Sequence, residues 1–460
     1  MSTDVVRVRT GVYHDSVSLM RVSRTATALP GVEVAVVAMA TELNLGIAAE
    51  LGFDLPKAGP ADLLIALRGG EADALEAALA ELDGLLAGLS TPPAGGAAEH
   101  PPHTVRAAAR EHAATLALVS VPGPHAFAEA LDAVEAGLSV MIFSDNVPVE
   151  QEVLLKRRAA ELGVLVMGPD CGTAVIGGAG LGFANVLRPG PVGLVAASGT
   201  GAQQVACLLD HAGVGVSHVL GVGGRDLSAD VGGLSTLRAL EALDADPATE
   251  LIVLISKPPA PEVARAVAET VAKLGTPVVT ALLGPGQDDL TTATETALRA
   301  LGAPVPAWPS WPAPGTARGH AGGLRGIYSG GTLCVEARLI TGSGEFTDFG
   351  DDAYTVGRAH PMIDPTLRLE ALAEVPPGEV VLIDVVLGHG ADPDPAATLA
   401  PVIAGATARG VTVIVALVGS EGDPQGLNAQ AETLNAAGAA VFTSNAQAAG
   451  HAAEVAGIAR

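Results

Sequence analysis

The sequence predicts an α/β protein built from several doubly wound domains with parallel sheets, preceded by a small N-terminal α/β module. Short apolar runs alternate with helical segments along most of the 460 residues, as expected for strands covered on both faces. The chain is 49% hydrophobic but only 3% aromatic and contains 57 glycines. We therefore expect an interior of small aliphatic side chains in which backbones approach closely.

The N-terminal module is predicted over residues 1–92, where three strands alternate with three helices. In chain order these segments are VVRVRTGVY, DSVSLMRVSRTATAL, VEVAVVAMA, LNLGIAAELG, DLLIALRG and ADALEAALAELDGLLAG. The stretch from Thr91 to Pro102 combines Pro, Gly and Ala without periodicity. It is therefore predicted to be a linker.

Strands and helices alternate again from about Val105, and we expect three further domains, over residues 103–190, 191–302 and 324–460. The first contains strands in TLALVSVP, SVMIFSD and VLVMGPD. The second contains strands in GLVAA, SHVLGVGG, ELIVLISKPP and PVVTALLG, and the third contains strands in EVVLIDVVLG, VTVIVALVG and AAVFTSN. A proline-rich stretch, APVPAWPSWPAPG, separates the last two domains.

Two strands end in a glycine-rich turn that opens directly into a helix, in PVGLVAASGTGAQQVACLLDHAG and GIYSGGTLCVEARLITG. Ser198 and Ser329 are predicted N-caps, and the glycines after them leave the first helical N–H groups accessible to an anion. The alternative is two ordinary strand-to-helix turns. The predicted phosphate or oxyanion ligands are Ser198, Gly199, Thr200, Gly201, Ser329, Gly330, Gly331 and Thr332. We expect Ser198 and Ser329 to lie near one cavity.

Charge and composition exclude several functions. The formal charge of −25 disfavours a nucleic-acid partner, and the absence of a long apolar run predicts no membrane span and no signal peptide. Cys171, Cys207 and Cys334 are widely spaced, which predicts neither disulfides nor a metal site. We expect a cytoplasmic protein.

Polar and glycine residues follow many of the predicted strands, where open parallel sheets bind ligands. Their coincidence favours a shared cleft. The predicted substrate-binding residues at or near these positions are Asn146, Asp170, Cys171, Gly172, Gly224 and Asp226, with Arg358 in the later GRAH motif.

The segments GPDCGT, ANVLRPGPVGLVAASGTG, GVGGRDLS and ISKPP follow one another as in the α subunit of succinyl-CoA synthetase, which they resemble. The C-terminal part resembles the ligase domain of that enzyme's β subunit. The chain is identified as a member of the FdrA family, which it resembles in these segments and in five others. The five others are DSVSLM, MGPDCGTA, IYSGGTL, DDAYTVGRAHPMIDPTLR and DVVLGHGADPDPA. The resemblance implies a Rossmann-like CoA-binding-type domain followed by two flavodoxin-type ligase domains.

The sequence departs from the synthetase pattern at three places. No GxTGxxG fingerprint for the CoA nucleotide precedes His103, and Lys257 in SKPPA replaces the glutamate that orients the synthetase phosphohistidine. His320 lies in a GHAG motif like that of the phosphohistidine, but farther from SKPPA than in the synthetase. It is either a phosphorylated nucleophile or a histidine of a flexible linker.

Membership of the FdrA family implies a part in oxamate carbamoyltransfer, in which oxalurate and phosphate give oxamate and carbamoyl phosphate. The predicted catalytic residues are Arg225, Lys257, His360 and His320: Arg225 would bind a carboxylate bidentately, or form a surface pair with Asp226, and Lys257 would neutralise phosphate. We expect a small anionic substrate and phosphate, no required cofactor, and partner subunits, a homo-oligomer or both.

Two alternatives remain open at this stage. One is an acyl-CoA synthetase that uses a phosphohistidine, for which ATP and CoA would be needed. The other is a non-catalytic subunit that senses a ligand or organises an assembly.

Overall fold

Two compact units make up the chain. The computed structural model describes residues 3–14, 16–89, 102–314, 322–355 and 358–458. The first unit comprises Met1–Pro101 and Asp352–Asp364, and the second comprises Pro102–Asp351 and Pro365–Arg460. Among the described residues, no helix is both long enough and apolar enough to cross a bilayer.

The first unit contains an antiparallel sheet of three strands in the order β1-β3-β2. Its elements are β1 (Thr3–Arg9), α1 (Ser16–Thr27), β2 (Val32–Met39), α2 (Glu42–Glu50), β3 (Leu63–Gly69) and α3 (Ala72–Leu89). The central strand β3 is buried on both faces: Ile65 packs with α1 and α3, whereas Leu64 and Ala66 pack with α2. Burial on both faces explains why its sequence is a continuous apolar run.

The second unit begins with a parallel sheet of three strands in the order β4-β5-β6. Its elements are α4 (Val105–Glu111), β4 (Leu116–Val119), α5 (Gly123–Glu135), β5 (Ser139–Ile142), α6 (Val149–Leu162) and β6 (Val166–Met167). Small residues on α5, Ala126, Ala130 and Ala133, are fully buried against this sheet. Their size lets the helix approach the strands closely.

A six-stranded sheet follows, in the order β12-β11-β9-β10-β7-β8. Its elements are β7 (Thr173–Ile176), β8 (Ala179–Gly182), β9 (Pro189–Ala196), α7 (Gly199–His211), β10 (Val216–Gly221), α8 (Leu234–Asp244), β11 (Leu251–Ile255), α9 (Pro261–Val271), β12 (Val278–Ala281) and α10 (Leu290–Ala300).

The hairpin of β7 and β8 lies within the predicted domain 103–190, yet its first strand pairs antiparallel with β10 of this larger sheet. The hairpin covers the edge of β10, whose backbone groups would otherwise lack partners. The sequence pattern did not indicate that the hairpin pairs with a strand of the next domain. The alternation of residues within a two-stranded hairpin is the same whichever sheet it joins.

The last sheet also has six strands, in the order β13-β18-β17-β16-β14-β15. Its elements are β13 (Ser310–Trp311), β14 (Leu324–Tyr328), α11 (Gly331–Thr341), β15 (Glu345–Asp348), α12 (Asp352–Thr355, in the first unit), α13 (Thr366–Ala373), β16 (Val380–Val386), α14 (Pro395–Ala408), β17 (Thr412–Val418), α15 (Leu427–Ala436), β18 (Ala440–Phe442) and α16 (Asn445–Val455). The strands are parallel except that β13 pairs antiparallel with β18.

Both glycine-rich turns follow a strand at which the strand order reverses. In the first six-stranded sheet β9 lies between β10 and β11, and in the second β14 lies between β15 and β16. At such a point the connections leave to opposite sides of the sheet and open a crevice at the carboxyl end of the strand. The start of α7 and the start of α11 each lie at one of these crevices.

A buried carboxyl group joins α11 to the helices around it. Glu336 is 1% exposed and accepts hydrogen bonds from the backbone N–H of Leu290 and from Nδ2 of Asn445, both at 2.6 Å. Asn445 in turn accepts a hydrogen bond from the hydroxyl of Tyr328 at 3.0 Å. Burial raises the pKa of Glu336 from 4.5 to about 7, because desolvation disfavours the charged form.

We expect Glu336→Gln to remove a pH-dependent part of the stability of the second unit. The folded chain retains a proton on Glu336 between about pH 4.5 and about pH 7 that the unfolded chain has lost. This group therefore lowers stability as pH rises through that window, by up to about 3 kcal/mol. Urea unfolding followed by tryptophan fluorescence measures this, since Trp308 and Trp311 are the chain's two tryptophans and lie in the second unit.

The matched control is Glu432→Gln, which changes an exposed glutamate on α15. It should leave the change in stability between pH 5 and pH 8 as in the wild type. If Glu336→Gln retains the full wild-type pH dependence, the assignment of that dependence to Glu336 is wrong.

Candidate active site

The turn at the start of α7 has the predicted cap. Ser198 is the N-cap, and its Oγ accepts a hydrogen bond from the N–H of Gly201 at 3.0 Å. None of the described residues accepts a hydrogen bond from the N–H of Gly199 or Thr200. These two amides are therefore available to an anion at the positive end of the helix.

The turn at the start of α11 differs from the prediction. Gly330 is the N-cap, and Ser329 does not cap the helix. Instead the N–H and Oγ of Ser329 donate to the carboxylate of Asp384, at 2.7 and 3.0 Å, and the N–H of Gly330 donates to it at 2.8 Å. A carboxylate is a stronger hydrogen-bond acceptor than a neutral oxygen, so Asp384 engages the N–H groups of Ser329 and Gly330. The N–H groups that remain accessible are those of Gly331 and Thr332.

An arginine holds Asp384 in place. Arg368 of α13 and Asp384 of β16 are 3% and 0% exposed, and Nη2 of Arg368 lies 2.8 Å from Oδ1 of Asp384. The same Nη2 also donates to the backbone carbonyls of Ile327 and Asp384. A buried ion pair is stable only when hydrogen bonds satisfy both charges, and the turn at Ser329 supplies those on the carboxylate.

The two turns contact each other within one chain. A Cβ atom added to Gly330 would lie 2.7 Å from Oγ1 and 2.8 Å from Cγ2 of Thr200. A Cβ atom added to Gly201 would lie 3.2 Å from Cγ2 of Thr332. Each helix start thus lies against a threonine of the other. At Gly330 only glycine leaves room for Thr200, whereas at Gly201 the closest atom is Oγ of Ser198, at 2.7 Å.

Two charged side chains lie beside the start of α11. A Cβ atom added to Gly331 would lie 3.3 Å from Nζ of Lys257 and would contact Oδ2 of Asp348. No ion pair joins Lys257 to any residue in the described part of the chain. Burial raises the pKa of Asp348, a hydrogen bond from Gly350 lowers it, Asp384 raises it and Lys257 lowers it, with a net rise.

Sequence reasoning missed Asp348, Asp384 and Arg368 as residues of this site. For Asp384 a signal was present, because it is the one charge within the apolar strand VVLIDVV, and such a charge needs a buried partner. Asp348 and Arg368 are at ordinary polar positions in their segments, so the sequence offered no comparable signal for them.

The predictions for Arg225 and Asp226 need correction in part. Two nitrogens of Arg225 pair with Glu152, at 2.9 and 3.1 Å, and Nη2 also donates to the carbonyl of Val147. Two of its guanidinium nitrogens are thereby engaged within the fold, and the side chain is 46% exposed, so its contact with a substrate carboxylate stays a prediction. The alternative of a pair with Asp226 is wrong.

Asp226 is fully buried and serves the fold. Its carboxylate accepts hydrogen bonds from Lys156 Nζ at 2.7 Å and from the backbone N–H groups of Ser235 and Thr236 at 3.1 and 2.8 Å, at the start of α8. These contacts use the oxygens that substrate binding would need. Lys156 and its partner Glu152, each about 1% exposed, complete this buried network.

Four other predicted substrate-binding residues lie in the loops after β5 and β6, and Gly224 lies near them. Asn146 and Asp170 have positive φ angles, of 54° and 57°, and both are exposed. A Cβ atom added to Gly224 would lie 3.9 Å from Oδ2 of Asp170. The carbonyl of Gly172 accepts a hydrogen bond from Phe183. Cys171 is buried, and burial raises the pKa of its thiol to about 12, so it is not a thiolate nucleophile at neutral pH.

Three further residues were predicted at the site: Arg358, His360 and His320. Arg358 and His360 belong to the first unit, together with the N-terminal sheet. His360 Nδ1 accepts a hydrogen bond from the N–H of Met362 at 3.2 Å. His320 lies outside the described residues.

A nucleotide cradle is not formed by the described residues of the three-stranded sheet. The turn from β4 to α5 has Pro122 at the N-cap without a side-chain hydrogen bond. A Cβ atom added to Gly123 would lie 2.8 Å from the carbonyl carbon of Asn146, so this glycine serves the packing of two loops. A phosphate-binding turn would instead leave such a glycine open to the ligand.

Comparison with known proteins relates both ends of the chain to described families. The family model described as "AllF, heavy metal-associated domain" matches residues 1–102, and the one described as "CoA-ligase" matches residues 327–455. Residues 1–102 contain no cysteine, whereas soft metal ions prefer thiolate ligands. No group of three or more metal-binding side chains is present in the described ranges. The residues therefore do not fit the metal that the first description implies.

Individual proteins resemble the chain to different extents. The uncharacterized protein YahF of Escherichia coli strain K12 is 37% identical to this chain in an alignment that covers 97% of each protein. The succinate–CoA ligase [ADP-forming] subunit alpha 2 of Archaeoglobus fulgidus is 32% identical over 158 residues, which cover 34% of this chain and 54% of that subunit. The dinucleotide forming acetyl-coenzyme A synthetase 1 of Ca. Korarchaeum cryptofilum, solved with phosphate and ADP, has 16% identity over 77% of this chain and 84% of its own. The two structures superpose with a TM-score of 0.32.

The similarity to YahF extends over almost the whole chain, and the match to the CoA-ligase model covers the helix α11 and the sheet behind it. Both agree with the motifs on which the resemblance was based. The chain belongs to the FdrA family of succinyl-CoA synthetase-like proteins.

Proposed function

We propose that this chain is the subunit of an enzyme that transfers a carbamoyl or acyl group to phosphate, and that its reaction is oxamate carbamoyltransfer. The observation that carries the proposal is the contact between two helix starts with accessible amides, beside a lysine that is not ion-paired within the described residues. Such a pair of positive helix ends suits a reaction with two anionic groups, since one is needed for phosphate and one for a developing oxyanion.

The geometry favours one assignment of the two ends. Lys257 lies beside Gly331, so the start of α11 with this ammonium group would hold phosphate. The amides of Gly199 and Thr200 would then bind the oxyanion that forms on the carbamoyl carbonyl group of oxalurate, where phosphate attacks. One oxyanion donor of this kind contributes about 10²- to 10³-fold to kcat.

The reaction balances without a nucleotide or CoA. An oxygen of hydrogen phosphate attacks the carbamoyl carbon of oxalurate, the bond from that carbon to the oxamate nitrogen breaks, and the nitrogen takes up the proton that phosphate loses. Oxamate and carbamoyl phosphate result. The phosphate is a substrate here, and partner subunits or further copies of the chain would complete the complex. The three buried free thiols suit the reducing cytoplasm in which we place it.

An acyl-CoA synthetase is the second candidate, and one observation favours it: the C-terminal ligase domain matches a CoA-ligase family model over residues 327–455. In this alternative His320 would carry the phosphoryl group. The turn between β4 and α5 does not supply a nucleotide cradle, which is why we place this candidate second.

We expect the purified chain with its partner subunits to form carbamoyl phosphate from oxalurate and phosphate. Lys257→Met should raise the KM for phosphate by about tenfold or more, since a charge-assisted contact worth roughly 1.5–3 kcal/mol is lost. The control is Lys273→Met, which removes an exposed lysine beyond α9. No turnover by a complete, folded complex would reject carbamoyltransfer.

We also expect Gly330→Ala to separate the two turns and to lower both activity and stability. The φ angle of Gly330 is −111°, which alanine adopts easily, so the effect comes from overlap with Thr200 and should amount to about 1–3 kcal/mol. The double variant Gly330→Ala/Thr200→Gly should lose less free energy of unfolding than the sum of the losses in the two single variants. A double-mutant cycle from urea unfolding measures this coupling.

For the cycle, Gly405→Ala is the matched control, because a Cβ atom there would meet only the side chain of Arg409, at 3.8 Å. It should combine additively with Thr200→Gly. If the effects of Gly330→Ala and Thr200→Gly on the free energy of unfolding are also additive, the contact between the turns does not contribute to stability.

For the synthetase alternative, incubation of the complex with radiolabelled ATP should leave label that is labile in acid and stable in base. The label should be lost in His320→Ala and retained in His451→Ala, which changes a histidine on α16. A wild-type complex that takes up no label excludes the phosphohistidine route.

A further inference from the structure

The position of Asp348 is unusual for a site that binds anions. Its Oδ2 atom contacts the place where a Cβ of Gly331 would be, at the first residue of α11. A carboxylate there repels a fully ionised anion, because two like charges at close range in a partly buried site are poorly screened. A phosphate that binds at this end must therefore accommodate a negative neighbour.

The chemistry of phosphate offers a way to do so. Hydrogen phosphate has a P–OH group near neutral pH, which can donate a hydrogen bond to a carboxylate, whereas sulfate has no proton to donate. A hydrogen bond from an O–H donor to a charged oxygen is short and about twice as strong as a neutral one. A carboxylate beside the anion can therefore distinguish the two ions, although they have similar size and shape.

We propose that Asp348 makes the start of α11 selective for a protonated tetrahedral anion, hydrogen phosphate, and excludes sulfate. This inference rests on the proposed function, since it names the ligand selectivity of the same site. Lys257 offers positive charge on the same side of Gly331. The anion would therefore lie between an ammonium group that attracts it and a carboxylate that accepts a hydrogen bond only from a protonated anion.

A second observation indicates a ligand at this end. Thr332, the second residue of α11, is 3% exposed, and none of the described residues forms a hydrogen bond with its hydroxyl group. Its side chain lies in the wall between the two turns, against Gly201. A hydroxyl that no described residue engages is free to donate a hydrogen bond to a bound anion.

Several charged groups act on the carboxylate of Asp348. Its carboxylate faces Asp384 on β16 and Asp351 on its own loop, which repel it, and Lys257 after β11, which attracts it. Arg368 on α13 and the thiol of Cys334 on α11 also feel its charge. Burial raises the pKa of Asp348 above its ordinary value, because desolvation disfavours the charged carboxylate.

The experiment compares inorganic phosphate, arsenate and sulfate by isothermal titration calorimetry with the full chain. The wild type should bind phosphate and arsenate, which both bear a proton, at least about tenfold more tightly than sulfate. In Asp348→Asn the ratio between phosphate and sulfate should fall close to one, because an amide has a donor that serves either ion. Glu432→Gln removes the charge of an exposed carboxylate on α15 that does not act on Asp348, and it should leave the ratio unchanged.

A second measurement does not depend on any variant. When the pH rises from about 6 to about 9, dihydrogen phosphate becomes hydrogen phosphate, which still has one P–OH group, so the wild type should keep its preference for phosphate over sulfate across this range. Equal affinity of the wild type for both anions, or a preference that Asp348→Asn retains, would overturn the inference about Asp348. A wild type that binds none of the three anions would instead overturn the proposed function.

Discussion

The site depends on the close approach of two backbones. Gly330 accommodates Thr200 and Gly201 accommodates Thr332, so two helix starts from different sheets meet at their accessible ends. A Cβ atom at Gly330 would overlap Thr200, and one at Gly201 would overlap Oγ of Ser198 and press on Thr332. Interiors packed as densely as a protein core do not absorb that volume cheaply. The aliphatic, glycine-rich composition of the chain serves the same end, because small residues let whole layers approach to backbone distance.

A buried ion pair decides which amides remain accessible. Asp384 takes the N–H groups of Ser329 and Gly330, and this shifts the open end of α11 to Gly331 and Thr332. The pair with Arg368 is costly to desolvate, so it contributes to the shape of the turn more than to stability. A neutral residue at position 384 would release both amides and change the place at which an anion binds.

The N-terminal module and the loops after β5 and β6 show how family descriptions and residues can diverge. A module whose description names heavy metals contains no cysteine, and a sheet that resembles a CoA-binding domain uses its first glycine for packing. In both cases the fold is retained while the residues needed for the ligand are absent from the described segments. The candidate site of this chain is formed by the starts of α7 and α11.

The sequence alone determined the fold class, the order of most strands and helices, and the existence of two glycine-rich helix starts. These follow from local periodicity and local turn chemistry, which neighbouring residues determine. Ser198 capped its helix as predicted because the partner of its hydroxyl, Gly201, is only three residues away.

Tertiary structure decided the rest. Ser329 pairs with Asp384 across 55 positions, and Asp226 pairs with Lys156 across 70, so a predicted cap and a predicted substrate ligand became parts of the fold. The contact between Thr200 and Gly330 and the position of Asp348 beside Gly331 also join distant segments. The physical reason is that a charged or polar group takes the strongest partner that packing brings to it, and that partner is not encoded in the neighbouring sequence.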